Sequence, residues 1–206
     1  MEFVEEGKRL SESYQKAYDT FDKLCEDLEE FKSYVKECEN FLTNAKPIKP
    51  GKYTVILSPL AAGVFAHESF GHKSEADFMI GDETMKKEWA IGKRVGSEIL
   101  SIIDDGNIIG SGYVPFDDEG SKSKKIYLIK NGILSGRLHS GTTATLLEEN
   151  LTGNARAVNF EFEPIVRMRT TYIEKGDKTN EELFSEVQEG IYIKTIKHGS
   201  GMSTFT

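Results

Sequence analysis

Leu10, Tyr14, Ala17, Phe21, Leu24, Leu28, Phe31, Val35, Cys38 and Leu42 recur at alternating steps of four and three residues. That spacing keeps one apolar stripe on one side of a helix for more than four heptads. It predicts a single long helix over 1–45. Phe, Tyr and Ala on the seam suit packing on a sheet or another helix better than a regular two-stranded zipper. Asn44 and the Pro47 to Pro50-Gly51 segment close the helix, because proline can neither donate its backbone hydrogen nor continue the turn.

Beyond residue 45 the pattern changes to short β-branched runs. Tyr53-Thr-Val-Ile-Leu57 reads as a buried strand between Pro50-Gly51 and Ser58-Pro59. Leu60 to about Phe70 reads as a helix with Ser58 as N-cap and Pro59 in its first turn. Glu98 to Asp104, Phe160 to Ile173 and Ile191 to Ile196 are further strand candidates, with a short helix at 180–189. Lys125 to Lys130, Asn131-Gly132 and Ile133-Leu134 form a hairpin signal, because Asn-Gly suits a type I′ turn. The fold class expected is therefore α+β: a long N-terminal helix (1–45), then a mostly antiparallel β-sheet domain carrying a metal-binding helix (46–206).

Charge narrows the functions. Of the net charge of −8, residues 1–45 carry −6, from 12 acidic and 6 basic side chains. A nucleic-acid surface needs a basic patch to displace counterions, and none is visible. No run approaches the roughly 18 apolar residues of a membrane span, and the charged N-terminus does not resemble a signal peptide. Cys25 and Cys38 on one helix would lie roughly 20 Å apart along its axis. A disulfide cannot span that distance, and two unpaired thiols fit a reducing, cytoplasmic setting.

The chemistry concentrates at His67-Glu68-Ser69-Phe70-Gly71-His72. Neutral imidazole nitrogens suit zinc, and an adjacent carboxylate can take a proton from activated water. The familiar helical motif spaces its histidines four apart. Five apart on a regular helix is about 140° of rotation, so the extra residue must be absorbed. Either a π-bulge does so or the helix ends before His72, and Gly71 is where such a break comes easiest. The competing reading is two exposed histidines around a surface glutamate. The apolar approach Ala61 to Ala66 argues against it, because it points to burial, and buried histidines need partners.

Around this motif the sequence resembles the TldD/PmbA family on its TldD-like side. The resemblance rests on Ala66-His-Glu-Ser-Phe-Gly-His-Lys-Ser-Glu-Ala-Asp-Phe78, Gly92-Lys-Arg-Val-Gly96, Ile103-Asp-Asp105, Pro115-Phe-Asp-Asp-Glu-Gly120, Lys130-Asn-Gly-Ile-Leu134, Thr152-Gly-Asn-Ala-Arg156 and Arg167-Met-Arg-Thr-Thr-Tyr172. These segments occur in collinear order over about 45–206. The resemblance implies a zinc-dependent peptidase acting on modified or flexible peptides, with His67 and His72 as metal ligands and Glu68 as general base. It implies a homodimer, or a heterodimer with a PmbA-like subunit. It also implies a third ligand, a cysteine from a C-terminal region for which this sequence has no counterpart, so the chain reads as a central or truncated portion. The family has carried a DNA gyrase modulator label as well, which neither charge nor motif supports here.

Other candidates are weighed beside the motif. Glu75 and Asp77 carry oxygens suited to zinc, or brace the turn after His72. Cys25 reaches the site only if the long helix folds back, His139 fits a substrate or second-sphere role, and His198 sits in a Gly-Ser-Gly tail. Asp117, Asp118 and Glu119 read as a turn compensated by Lys122 to Lys125 rather than a metal cluster. Thr152 to Arg156 is too poor in glycine for a phosphate loop. Two functions remain: a TldD-type zinc peptidase, and a non-catalytic peptide-binding or assembly fragment whose site needs another region or subunit.

Overall fold

The computed structural model describes residues 1–196, and its chain divides into two units. The first comprises residues 1–52 with 109–111; the second holds the remainder.

In the first unit the single long helix is replaced by a hairpin and two helices. Strands β1 (Glu2–Glu5) and β2 (Lys8–Ser11) pair antiparallel, with Glu5 opposite Lys8. Glu6 and Gly7 both take positive φ, 48° and 80°, as a two-residue I′ turn requires. Helix α1 (Phe21–Glu26) starts at Thr20, whose hydroxyl accepts from the Lys23 N–H, and α2 (Leu28–Asn44) follows. Leu10 is buried on β2 and Cys38 on α2, whereas Phe21, Leu24 and Leu28 are exposed. The 4-3 stripe is thus shared between a strand and two helices. Both cysteines are free, Cys25 exposed and Cys38 buried.

The second unit begins with β3 (Val55–Leu57), α3 (Pro59–Ala66) and α4 (Glu83–Glu88). Ser58 caps α3 as its sequence predicts, accepting from the Ala61 N–H at 3.0 Å while its hydroxyl donates to the Lys194 carbonyl. Such a cap contributes about 1 kcal/mol. Strands β4 (Ile102–Asp104), β5 (Ile126–Lys130) and β6 (Ile133–Leu134) follow, then α5 (Gly141–Leu147), β7 (Ala155–Arg156), β8 (Ile165–Val166), β9 (Thr171–Ile173), α6 (Asn180–Glu186) and β10 (Ile191–Ile193). An antiparallel sheet orders its strands β6-β5-β4-β9, β7 pairs with β8, and β10 runs parallel to β3. The β5–β6 turn is the Asn131-Gly132 turn expected, with φ of 50° and 76°. The strand expected over 160–173 is instead β8 and β9, with Phe160 and Phe162 exposed ahead of them.

The core of this unit gathers Ile102, Leu128, Ile129, Leu134 and Leu138 with Ala66, Met79, Trp89, Val166 and Met168. One buried ion pair crosses it. Asp104 accepts from Arg169 Nε at 2.8 Å, from the Arg169 N–H at 2.8 Å, from Thr171 Oγ1 and from Asn154 Nδ2. Arg169 also donates to the Ser123 hydroxyl and to the carbonyls of Gly153 and Lys124. Every oxygen of this buried carboxylate is engaged, as burial of a charge demands.

Candidate metal centre

Helix α3 does not stop at Ala66. It widens into a π-turn over His67–Gly71, closed by the His72 N–H bonding to the His67 carbonyl, and continues as a 3-10 turn over His72–Ser74. A five-residue turn absorbs the extra residue and returns His72 to the side occupied by His67. The two rings stand edge to face with centroids 4.6 Å apart. Donor atoms of His67, Glu68 and His72 all lie within 4.8 Å of one another. Among the described residues no other group of three His, Cys, Asp or Glu side chains comes close enough to share an ion.

Gly71 serves the widening differently from its sequence reading. Its dihedrals are ordinary helical ones, φ −60° and ψ −58°, so conformational freedom is not what the position uses. The need is space: a Cβ there would overlap the sulfur of Met168. Close packing of the π-turn on the segment after β8 demands the smallest residue.

Glu75 braces the centre rather than joining it. Its side chain is 2% exposed, and Oε2 lies 3.0 Å from His72 Nδ1. With Glu75 ionised, Nδ1 carries the hydrogen and His72 Nε2 is left to face a metal. Oε1 accepts from the Met168 N–H at 3.3 Å, and Arg167 Nη1 stands 3.7 Å from Oε2. Burial raises the Glu75 pKa, while His72, Arg167 and the Met168 N–H pull it down. Asp77 accepts from the Val166 N–H at 2.7 Å, a second brace. Ser74 and Leu138 complete the clamp, since Leu138 N–H donates to the Ser74 carbonyl and Ala76 N–H to the Leu138 carbonyl.

Burial and the neighbouring His72 lower the His67 pKa, with Arg167 adding to the effect and Glu68 and Asp104 opposing it. The neutral imidazole, which is the form that binds a metal, is thereby favoured. The two histidine nitrogens suit zinc and the Glu68 carboxylate stands beside them as a base, so the residues present fit such an ion.

The remaining candidates fall elsewhere. His139 is buried, with Nδ1 3.2 Å from Thr143 Oγ1 and Nε2 3.1 Å from Glu149 Oε2, so it serves the core beside Arg137 rather than the centre. Asp117 accepts from the backbone of Glu119, Ser121 and Ala155, and Glu119 from Gly141. Backbone N–H groups, not the lysines, settle that acidic turn. His198 lies outside the described residues. Beside Asp77 opens a cleft of about 310 Å³ lined by Ile80, Ser140, Thr143, Leu146 and Pro164. Sequence reasoning left Arg167 without a role of its own, though it stands inside a motif of the resemblance.

The family described as the PmbA/TldA metallopeptidase C-terminal domain matches residues 50–206. This chain belongs to the TldD/PmbA family. A metalloprotease of Methanocaldococcus jannaschii is 46% identical over 159 residues, which are 77% of this chain and 35% of the relative. A zinc metalloprotease TldD homolog of Saccharolobus solfataricus is 36% identical over 173 residues, 83% of this chain and 38% of the relative. The chain thus matches little more than a third of these TldD/PmbA relatives. The solved TldE of Thermococcus kodakarensis has the same fold, with a TM-score of 0.62 at 21% identity over 84% of this chain and 39% of that one.

Proposed function

We propose that this chain supplies the histidine ligands and the general base of a TldD-type zinc peptidase. The observation that carries the reading is the π-turn, which gathers His67, Glu68 and His72 within 4.8 Å. Zinc bound there would supply Lewis acidity toward water and a peptide carbonyl. His67 and His72 hold the ion, and Glu75 keeps His72 in the correct tautomer. Glu68 accepts the proton of the attacking water and returns it to the leaving amine. The substrate is an extended peptide, flexible or modified, docked along a sheet edge where backbone hydrogen bonds give affinity with little sequence preference. Edge strand β9 lies against both α3 and the π-turn, which favours it for that role.

Equilibrium dialysis of the purified chain tests the metal reading. One zinc per chain is expected, lost in His67→Ala and retained in Glu68→Gln. No zinc in the unaltered chain refutes it.

A second reading has its own observation: the chain matches only 35% of the M. jannaschii metalloprotease. The module then binds peptide or assembles, and hydrolysis awaits a further ligand-bearing region or a PmbA-like subunit. In this reading the chain partners a related subunit, as a homodimer or heterodimer, in a reducing cytoplasm. Peptide hydrolysis by this chain alone favours the first reading; hydrolysis only after a TldE-type subunit is added favours the second.

A further inference from the structure

Arg167 is tied down at its backbone and unengaged at its tip. Its N–H donates to the Asn154 carbonyl at 2.9 Å, and its own carbonyl accepts from Asn154 Nδ2 at 2.9 Å. The residues on either side are held by Asp77 and Glu75 through the Val166 and Met168 N–H groups. Among the described residues, however, the guanidinium makes no hydrogen bond, and its one ion pair is the long 3.7 Å contact to Glu75. The same Glu75 oxygen touches His72, so a single carboxylate separates the guanidinium from a proposed metal ligand. The side chain is 39% exposed, open to a ligand rather than sealed in the core.

We infer that Arg167 is the oxyanion-binding residue of this site, placed to hold the substrate oxygen that turns negative when water adds to a peptide carbonyl. The inference rests on the metallopeptidase reading. In that step the water oxygen bonds to the carbonyl carbon, the C=O π pair moves onto the carbonyl oxygen, and Glu68 takes the proton. Collapse of the adduct breaks the C–N bond as the proton passes to the amine. A guanidinium carried on an anchored backbone, with unused donors, stabilises the negative oxygen by hydrogen bonds and charge. A brace for Glu75 would be expected to hydrogen-bond it, and His72 and the Met168 N–H already do so.

The test uses a phosphinic dipeptide with an amidated C-terminus, whose tetrahedral anion mimics the adduct. It is titrated into cobalt(II)-saturated protein and followed by visible absorption. Arg167→Gln is expected to raise its dissociation constant roughly 100-fold, Arg167→Lys by less, with cobalt affinity unchanged in both. Weaker cobalt binding with unchanged phosphinate affinity at saturating metal would make Arg167 a brace and overturn the inference. A loss seen only with probes bearing a free C-terminal carboxylate would overturn it as well. Failure of the unaltered chain to bind cobalt would count against the metal reading instead. Calorimetric titration of metal-free protein with the same phosphinate then decides the matter: weaker binding in Arg167→Gln sustains the inference, and no difference overturns it.

Discussion

Glu75 Oε2 lies 3.0 Å from Nδ1 of His72, at the end of a side chain only 2% exposed. Orientation of a ligand imidazole by a buried carboxylate is worth about 10- to 100-fold in metal affinity. Glu75→Gln keeps the shape but removes the charge, and Glu75→Ala removes both. Competition with a chromophoric chelator is expected to show zinc affinity falling in the order native, Gln, Ala. Equal affinities in all three would mean that Glu75 only anchors the Met168 N–H.

Gly71 and Met168 are a matched pair. Gly71→Ala drives a methyl into the Met168 sulfur, and overpacking of this kind costs about 1–3 kcal/mol. Urea unfolding should show that loss, and the double variant Gly71→Ala, Met168→Val should recover part of it by giving the methyl room. A double variant whose loss equals or exceeds the sum of the two single losses would refute the pairing.

Arg169 and Asp104 form a pair whose side chains are 3% and 0% exposed. Arg169→Met strands an ionised Asp104 in the core, at a cost of about 3–5 kcal/mol. Asp104→Asn, Arg169→Met together should be less damaging than Arg169→Met alone, because no buried charge is left uncompensated. Denaturation midpoints compared across the unaltered chain and these two variants check it.

His67 has a pKa lowered from its ordinary 6.5 by burial and by His72. The unfolded chain therefore binds more protons than the folded one between the lowered value and 6.5. Stability of the metal-free protein carries the His67 contribution above pH 6.5 and loses it as pH falls through the folded pKa. Glu75 acts oppositely, since its raised pKa adds stability at low pH that is lost as pH rises through its folded value. His67→Asn should flatten the acid-side slope of thermal stability; an unchanged slope would refute the assignment. Protons competing for the His67 imidazole weaken zinc binding over the same acid range.

Much was legible in the residues themselves. The Ser58 cap, the Asn131-Gly132 turn and the placement of His67, Glu68 and His72 after a strand rest on local rules that no distant contact overrode, although that strand, expected to be buried, is exposed at Val55 and only half-buried at Ile56 and Leu57. The spacing of five even announced that a helix had to widen or stop at the motif. The first 45 residues misled because a 4-3 apolar pattern leaves room for a break: Glu6-Gly7 lacks the Asn-Gly signature, yet both residues take positive φ and turn the chain into a hairpin.

The sequence by itself determined which side chains can hold a metal and where the helix bearing them begins, because capping, turn chemistry and spacing act within a few residues. Only the tertiary structure decided that the helix widens instead of ending, that Gly71 is required for space, that Glu75 supports His72, and that Arg167 stands beside them. Met168 and Arg167 lie more than ninety residues beyond the histidines in the chain. What brings them to the π-turn is the packing of the segment after β8 against it, through hydrogen bonds from Val166 and Met168 to Asp77 and Glu75 that no local pattern encodes.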